Sequence, residues 1–350
     1  MTNEKKFMKE LLDLYTPSGS ENDSEYPREL LSNYLNLTES KFADRKNQVY
    51  GLGQENGTRV LISGHIDEIC MVVGDITKEG YLIPYNMGGF DKKTLPGLSV
   101  AILSSTSEIY EGIVQTNPIH VWAREKDADR AFDFHEVRID VGCGSKEDVE
   151  ERGIRVGDMI CPLHKNNVEF GVNKVFGNSL DDKAGVWIMA QVLRECRDNC
   201  SLNSIYLLGA ACSGEETGLR GARTVAKNVN PDISIDIDVA PASDNGLLPT
   251  PKYPAIELGK GPVIVYGPDK DRELNLQLEE VAKDLGVEFQ RSVARAGGTN
   301  TDILETFASN CKATLISIPC LSLHTPSETC DWRDIEGAVK IIVGWVKKFC

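Results

Sequence analysis

The chain has 350 residues, 41% of them hydrophobic and 26% charged, enough for one large or two ordinary domains with substantial cores. With 53 acidic residues against 38 basic ones, its net charge of −15 argues against non-specific binding to nucleic acid or to an anionic membrane surface. No stretch approaches the roughly 20 apolar residues of a membrane span, and the start lacks the apolar core of a secretory signal. A cytoplasmic protein is expected, in which the 10 scattered cysteines are reduced thiols and mostly core fillers.

In chain order, Phe7, Leu11 and Leu12 mark the apolar face of a first helix, which breaks at Thr16-Pro17-Ser18-Gly19. Residues 60–63 read as a buried strand that runs into His65-Ile66-Asp67. From about residue 70 to residue 169 the text is punctuated by glycine and holds short strand-like runs at 80–84 and 98–103. That pattern predicts a small β domain inserted into an α/β frame. Beyond it, Asp181-Asp182 precedes a helical face of Val186, Met189, Ala190 and Leu193. A strand at 205–211 leads to Glu215-Glu216, a strand at 233–239 carries Asp238, and a strand at 263–266 precedes the helical face Leu274, Leu278, Val281, Ala282 and Leu285. A strand at 314–318 leads to His324, and Ile335, Ala338, Val339, Ile342, Val343 and Val346 face one side of a last helix. Strands alternating with helices imply a largely parallel sheet covered on both faces. The expected division is 1–69 and 170–350 for the α/β domain, with 70–169 inserted.

Five polar motifs interrupt this apolar text: His65-Ile66-Asp67, Asp181-Asp182, Glu215-Glu216, Asp238 and His324. All but Asp181-Asp182 lie at or just after the end of a predicted strand, where ligands gather in open α/β sheets. Each alone is commonplace, since adjacent acids are usually a solvated turn and a lone histidine is usually a core or surface residue. Together they describe carboxylates and imidazoles converging on one edge, and buried carboxylates need a partner. A divalent cation supplies one.

The motifs also carry a family resemblance. The runs Pro17-Ser18-Gly19, Ser63-Gly64-His65-Ile66-Asp67-Glu68, Leu95-Pro96-Gly97, Ser179-Leu180-Asp181-Asp182-Lys183-Ala184-Gly185 and Gly214-Glu215-Glu216-Thr217-Gly218-Leu219-Arg220-Gly221-Ala222 stand in this order. Ile237-Asp238-Val239, Leu258-Gly259-Lys260-Gly261-Pro262, Gly297-Gly298-Thr299 and Ser317-Ile318-Pro319 follow, ahead of His324. The chain thereby resembles, nearly end to end, the glutamyl and deblocking aminopeptidases of the tetrahedral (TET) type, dinuclear metallopeptidases sometimes labelled endoglucanase. The resemblance implies a three-layer αβα zinc-exopeptidase-like domain with a mixed, mostly parallel sheet, interrupted by a PDZ-like β-barrel that helps oligomerisation. It implies two divalent cations per chain, Zn²⁺ or Co²⁺ first and Mn²⁺ also compatible. Asp181 would bridge them, His65 and Asp238 would complete one site, and Glu216 and His324 the other. A hydroxide shared by the metals would be the nucleophile and Glu215 the general base, with Asp67 orienting the His65 imidazole. The Asp181–Asp182 peptide would be cis. Peptides are the implied substrates, and the implied partners are copies of the chain itself, from a dimer to a dodecamer.

Three positions depart from the family pattern, which often has Arg at Lys183, Asp at Asn300 and Gly at Cys70. Asn300 bears on substrate preference more than on catalysis. His120, His135 and His164 read as surface or core residues, and Trp122, Trp187, Trp332 and Trp345 as packing residues. The alternative enzyme reading is an N-acyl amino-acid or peptide deacylase on the same metal site. A glycosidase would need carboxyl groups about 5–9.5 Å apart across a sugar, which adjacent Glu215 and Glu216 beside histidines do not suggest.

Overall fold

Alternation within the buried strands sets up the layers. In the strand Thr58–His65, Val60 and Ile62 enter one core while Leu61 enters another. In the strand Ile205–Cys212, Ile205 and Leu207 join the first core, and Tyr206, Leu208, Ala210 and Cys212 join the second. Successive side chains on a strand point to opposite faces, so both faces of this sheet need a helical cover. The helices Asn3–Asp13, Tyr26–Leu35, Leu180–Asn199, Arg272–Leu285 and Trp332–Val346 bury residues in the first core; Arg220–Val229 and Asn300–Phe307 do so in the second.

The structure, a computed structural model, describes residues 1–21, 25–122, 130–246, 255–293 and 298–350. Gly297 lies outside them, as does the Trp122 side chain; Trp187, Trp332 and Trp345 are buried. The described chain forms two compact units.

The first unit comprises residues 1–68, 166–323 and 327–350. Its sheet has seven strands in the order Gln48–Gly53, Ile205–Cys212, Thr58–His65, Ile233–Pro241, Lys312–Cys320, Val263–Tyr266 and Gln290–Val293. The strands from Ile205–Cys212 to Lys312–Cys320 are mutually parallel. Gln48–Gly53 runs antiparallel to Ile205–Cys212, and Val263–Tyr266 antiparallel to Lys312–Cys320 but parallel to Gln290–Val293, so the sheet is mixed and mostly parallel. Gln48–Gly53 is a strand that the periodicity does not announce. A Cβ on Gly51 would stand 2.5 Å from the Tyr206 hydroxyl, so glycine is required where that ring crosses the strand. A smaller sheet joins Asn167–Phe170, Lys174–Gly177 and Glu328–Asp331.

The second unit comprises residues 69–165 with 324–326. It is a closed six-stranded antiparallel barrel in the order Cys70–Ile76, Tyr81–Met87, Arg138–Asp140, Ile109–Gln115, Ser99–Leu103 and Met159–Pro162. Met71, Val73, Leu82, Val100, Ile102, Val114, Ile139 and Ile160 fill its core. The chain rejoins the first unit at Asn166 rather than at residue 170, because the strand Asn167–Phe170 pairs with Lys174–Gly177. Among the described residues no helix is long and apolar enough to cross a membrane. All 10 cysteines are free thiols.

Candidate metal centre

Register brings the polar motifs to one edge of the sheet. His65 pairs with Cys212 in parallel, so their two strands end at the same level and release Asp67 on one side and Glu215 and Glu216 on the other. On the next strand Asp236 pairs with Ser63, which places Asp238 two residues further toward that edge. Asp181 arrives from the opening of the Leu180–Asn199 helix. There Asp181 (φ −79°, ψ 102°) and Asp182 (φ −122°, ψ 41°) depart from helical geometry, and the peptide between them is cis.

The result is a compact set of donors. One atom each from His65, Asp181 and Asp238 lie within 4.8 Å of one another, and so do one atom each from His65, Glu215 and Glu216. His65 is fully buried, and its Nδ1 stands 3.0 Å from the Asp67 carbonyl oxygen and 3.5 Å from the Asp67 carboxylate. Both neighbours are acceptors, so Nδ1 carries the proton and Nε2 presents a lone pair. That lone pair faces Asp181 Oδ1 at 3.0 Å and Glu215 Oε2 at 3.9 Å. Lone pairs do not face one another at such distances without a positive charge between them. A proton serves in the metal-free chain: burial alone would lower the His65 pKa, but Asp181 and Asp67 outweigh it and hold it well above its ordinary value. A divalent cation serves the same set of donors better, because nitrogen and carboxylate oxygen are its ordinary ligands. The residues fit a metal.

The carboxylates say the same. Burial pushes Asp238 well above the carboxylate range, and the charge of Asp181 adds to the effect. Burial also raises Glu215, with Glu216 and Asp181 adding to it and His65 opposing, to about 8. Protonation relieves this mutual repulsion in the metal-free chain, and a bound cation would relieve it with the carboxylates ionised.

Several supporting contacts go beyond what the sequence announces. Asp67 uses its carboxylate mainly on the neighbouring turn, where Oδ1 accepts the Glu215 N–H at 3.0 Å and Oδ2 the Glu216 N–H at 3.2 Å. Asp182 accepts the N–H of His65 at 3.1 Å and of Gly185 at 2.9 Å. A Cβ on Gly185 would lie 2.3 Å from that carboxylate, so only glycine leaves it room. Glu328 accepts the Asp181 N–H at 2.9 Å. Adjacency to Asp181 was the one signal available for Asp182; for Glu328 there was none.

His324 lies with Thr325 and Pro326 in the second unit, at φ 57°. Its Nδ1 is 2.8 Å from the Gly89 carbonyl oxygen, which fixes Nδ1–H as donor and Nε2 as the acceptor nitrogen. His120 is exposed. His135 forms a group with Asp133 and Glu136, but those two acids cap the turn 134–136 and pair with Lys92 and Arg130 respectively.

Residues 48–341 match the family described as M42 glutamyl aminopeptidase. The lysyl aminopeptidase of Pyrococcus furiosus is 29% identical over 300 residues, spanning 85% of this chain and 84% of that protein. Among solved structures, the TET aminopeptidase of Thaumarchaeota archaeon SCGC AB-539-E09 superposes with a TM-score of 0.89 at 27% identity, over 99% of this chain and 97% of that one. The TET1 peptidase of Pyrococcus horikoshii, described as assembling into a tetrahedron or a large octahedral shell, gives a TM-score of 0.83 at 26% identity over 98% of each chain. With the family match covering most of its length, this chain belongs to the M42 glutamyl aminopeptidases.

Proposed function

We propose that the chain is a dinuclear metal-dependent aminopeptidase that removes N-terminal residues from peptides. The observation that carries this reading is the lone pair of His65 Nε2 facing Asp181 and Glu215 among buried carboxylates. Asp181, His65, Asp238, Glu216 and His324 would hold the two cations, with Asp181 shared between a His65–Asp238 set and a Glu216–His324 set. When bound, the two cations supply an acidified water and an electrophilic pull on the scissile carbonyl. Nitrogen and oxygen donors without a thiolate suit Zn²⁺ or Co²⁺, with Mn²⁺ also compatible.

The remaining work belongs to the protein. Glu215 takes a proton from the attacking water and returns it to the leaving amine. Asp67 supports this twice, by facing the proton-bearing nitrogen of His65 and by gripping the backbone that carries Glu215. The carboxylates gathered at the site attract the α-ammonium of a peptide, which a capped amino terminus lacks, and this makes the enzyme an exopeptidase.

The assembly of the Pyrococcus horikoshii relative supports a homo-oligomer here, from dimer to dodecamer. Residues 69–165 are the proposed assembly region, and they expose Tyr85, Ile109 and Ile113. The free cysteines suit the reducing cytoplasm.

The test uses aminoacyl chromogenic amides and paired peptides with free or acetylated amino termini. Chelation is expected to abolish hydrolysis, Zn²⁺ or Co²⁺ to restore it, and only the free amino terminus to be trimmed. Full turnover without metal rejects the reading, and release of acetate alone replaces it with the deacylase.

A further inference from the structure

The strand Ile205–Cys212 stops at Cys212, and the next four backbone N–H groups are then satisfied by side chains from three distant segments. Ser213 N–H goes to Asn47 Oδ1 at 3.0 Å, Gly214 N–H to Glu21 Oε1 at 2.7 Å, and Glu215 and Glu216 N–H to Asp67. Asn47 and Asp67 adjoin strands of the sheet. Glu21 does not: it follows the Pro17-Ser18-Gly19 motif, in a stretch that contributes none of the proposed metal ligands.

That stretch is nevertheless tied to segments adjoining His65, Asp181 and Glu215. Ser18 N–H donates to the Glu68 carbonyl at 3.1 Å, and Thr16 N–H to the Glu68 carboxylate at 2.6 Å. Lys183, two residues beyond Asp181 and fully buried, donates through Nζ to the Leu14 carbonyl at 2.5 Å and lies 3.6 Å from Glu68 Oε1. Ser18 Oγ is 2.9 Å from Thr217 Oγ1. Residues 14–21 thus form a strap across the turns that carry His65, Asp181 and Glu215.

Within the strap Glu21 has the most direct hold on Glu215. Its carboxylate is buried, and one oxygen accepts both Gly19 N–H at 2.8 Å and Gly214 N–H at 2.7 Å. Gly214 has φ +59°, and its carbonyl accepts Arg220 N–H at 3.0 Å, so the residue before Glu215 is fixed from both sides. We propose that Glu21 is a positioning residue that sets the direction of the Glu215 carboxylate by locking the Gly214 peptide onto the 14–21 strap. The proposal rests on Glu215 being the general base. Loss of the lock would displace that base, while in the metal-saturated enzyme the cation would keep Glu216 in place.

The geometry separates position from charge. Both N–H groups use a single oxygen, so the amide carbonyl of Glu21→Gln can replace it. Glu21→Asp keeps the charge but is one methylene too short to span Gly19 and Gly214. In the metal-saturated enzyme, Glu21→Asp should lower kcat about 10–100-fold, the cost of a misplaced catalytic group, with KM and metal stoichiometry nearly unchanged. Glu21→Gln should stay close to wild type. A readout independent of turnover is hydrogen exchange of a peptide covering residues 213–217 in the metal-free protein. There Glu21→Asp should exchange about tenfold faster, as loss of one buried hydrogen bond predicts, and Glu21→Gln should not. If Glu21→Asp does not fold, Ser18→Ala replaces it; cutting the Ser18–Thr217 tie should move kcat and exchange the same way by a smaller factor.

Wild-type kcat and exchange in Glu21→Asp, or equal losses in Glu21→Asp and Glu21→Gln, overturn the proposal. An inactive wild type would instead remove the aminopeptidase reading, while the exchange comparison would still decide whether Glu21 locks the turn.

Discussion

Asp181-Asp182 and Glu215-Glu216 look alike on paper, two adjacent acids beside a glycine-bearing run, yet the fold treats them in opposite ways. In the first pair a side chain organises backbone: Asp182 is wholly buried and its two oxygens accept the N–H groups of His65 and Gly185. In the second pair backbone is organised by other side chains, and the N–H groups of Glu215 and Glu216 are handed to Asp67. In the second pair these bonds occupy the backbone N–H groups and not the carboxylates. The lesson is that adjacency of acids marks a place where charge is concentrated, while the hydrogen-bond partners decide which acid is a strut and which is available for chemistry.

Isosteric acid-to-amide changes probe that contrast directly. The largest effect is expected from Glu215→Gln, which keeps shape but removes the proposed base. It should cut kcat by roughly 10²–10⁴-fold, with metal content unchanged by elemental analysis. Glu216→Gln should instead lower the metal content at limiting cation. If the two variants exchange these behaviours, the division between base and ligand is reversed.

A smaller effect, of a different kind, is expected in the other pair. Asp182→Asn must turn an NH₂ group toward one of two backbone N–H donors, so the metal-saturated protein should lose about 1–3 kcal/mol of stability. Thermal unfolding measures this, and Glu215→Gln should leave the same transition almost unmoved. Equal melting shifts in both variants would erase the distinction between strut and chemical group.

The smallest effect extends the comparison to a strut on another turn of the first unit. Asp334 accepts the N–H groups of Gly259 and Gly261, both at 2.7 Å, and burial raises its pKa to about 6. A carboxyl whose pKa is raised by folding is stabilising when protonated and loses that advantage as it ionises. Between the ordinary value of 3.8 and about 6, stability should therefore fall as pH rises. The contribution is at most about 2–3 kcal/mol, at roughly 1.4 kcal/mol per pKa unit. Asp334→Asn should flatten that part of the stability profile, and an unchanged slope would show that the group titrates normally.

How much could be read in the sequence follows from the range of each interaction. The strand at 263–266 appears where its four apolar residues stand, and the strand at 60–63 extends only to Thr58–His65. The β character of the insert showed in the runs that became Tyr81–Met87 and Ser99–Leu103. Gln48–Gly53 was invisible because its two glycines mask the alternation and its stability comes from pairing with Ile205–Cys212. Gln290–Val293, an edge strand of mostly polar residues, was silent for a similar reason. At the site, the histidines and acids were visible as polar letters at the ends of apolar runs. Asp67 was named as a support of His65, but its grip on the Glu215–Glu216 turn was not, since Asp67 and Glu215 are 148 positions apart and no local pattern records a side chain reaching that far.

The closed barrel has a consequence for how the chain reaches its folded state. His65 and Asp181 are 116 positions apart, a separation that would make their encounter entropically slow in an open chain. The first and last barrel strands pair, with Met71 opposite Ile160 and Val72 opposite Met159. Once the barrel has formed, the connection between Glu68 and Asn166 behaves as a short tether instead of a long one. The insert then acts as a molecular abbreviation, letting the two halves of the main sheet search for each other almost as if the intervening residues had been spliced out.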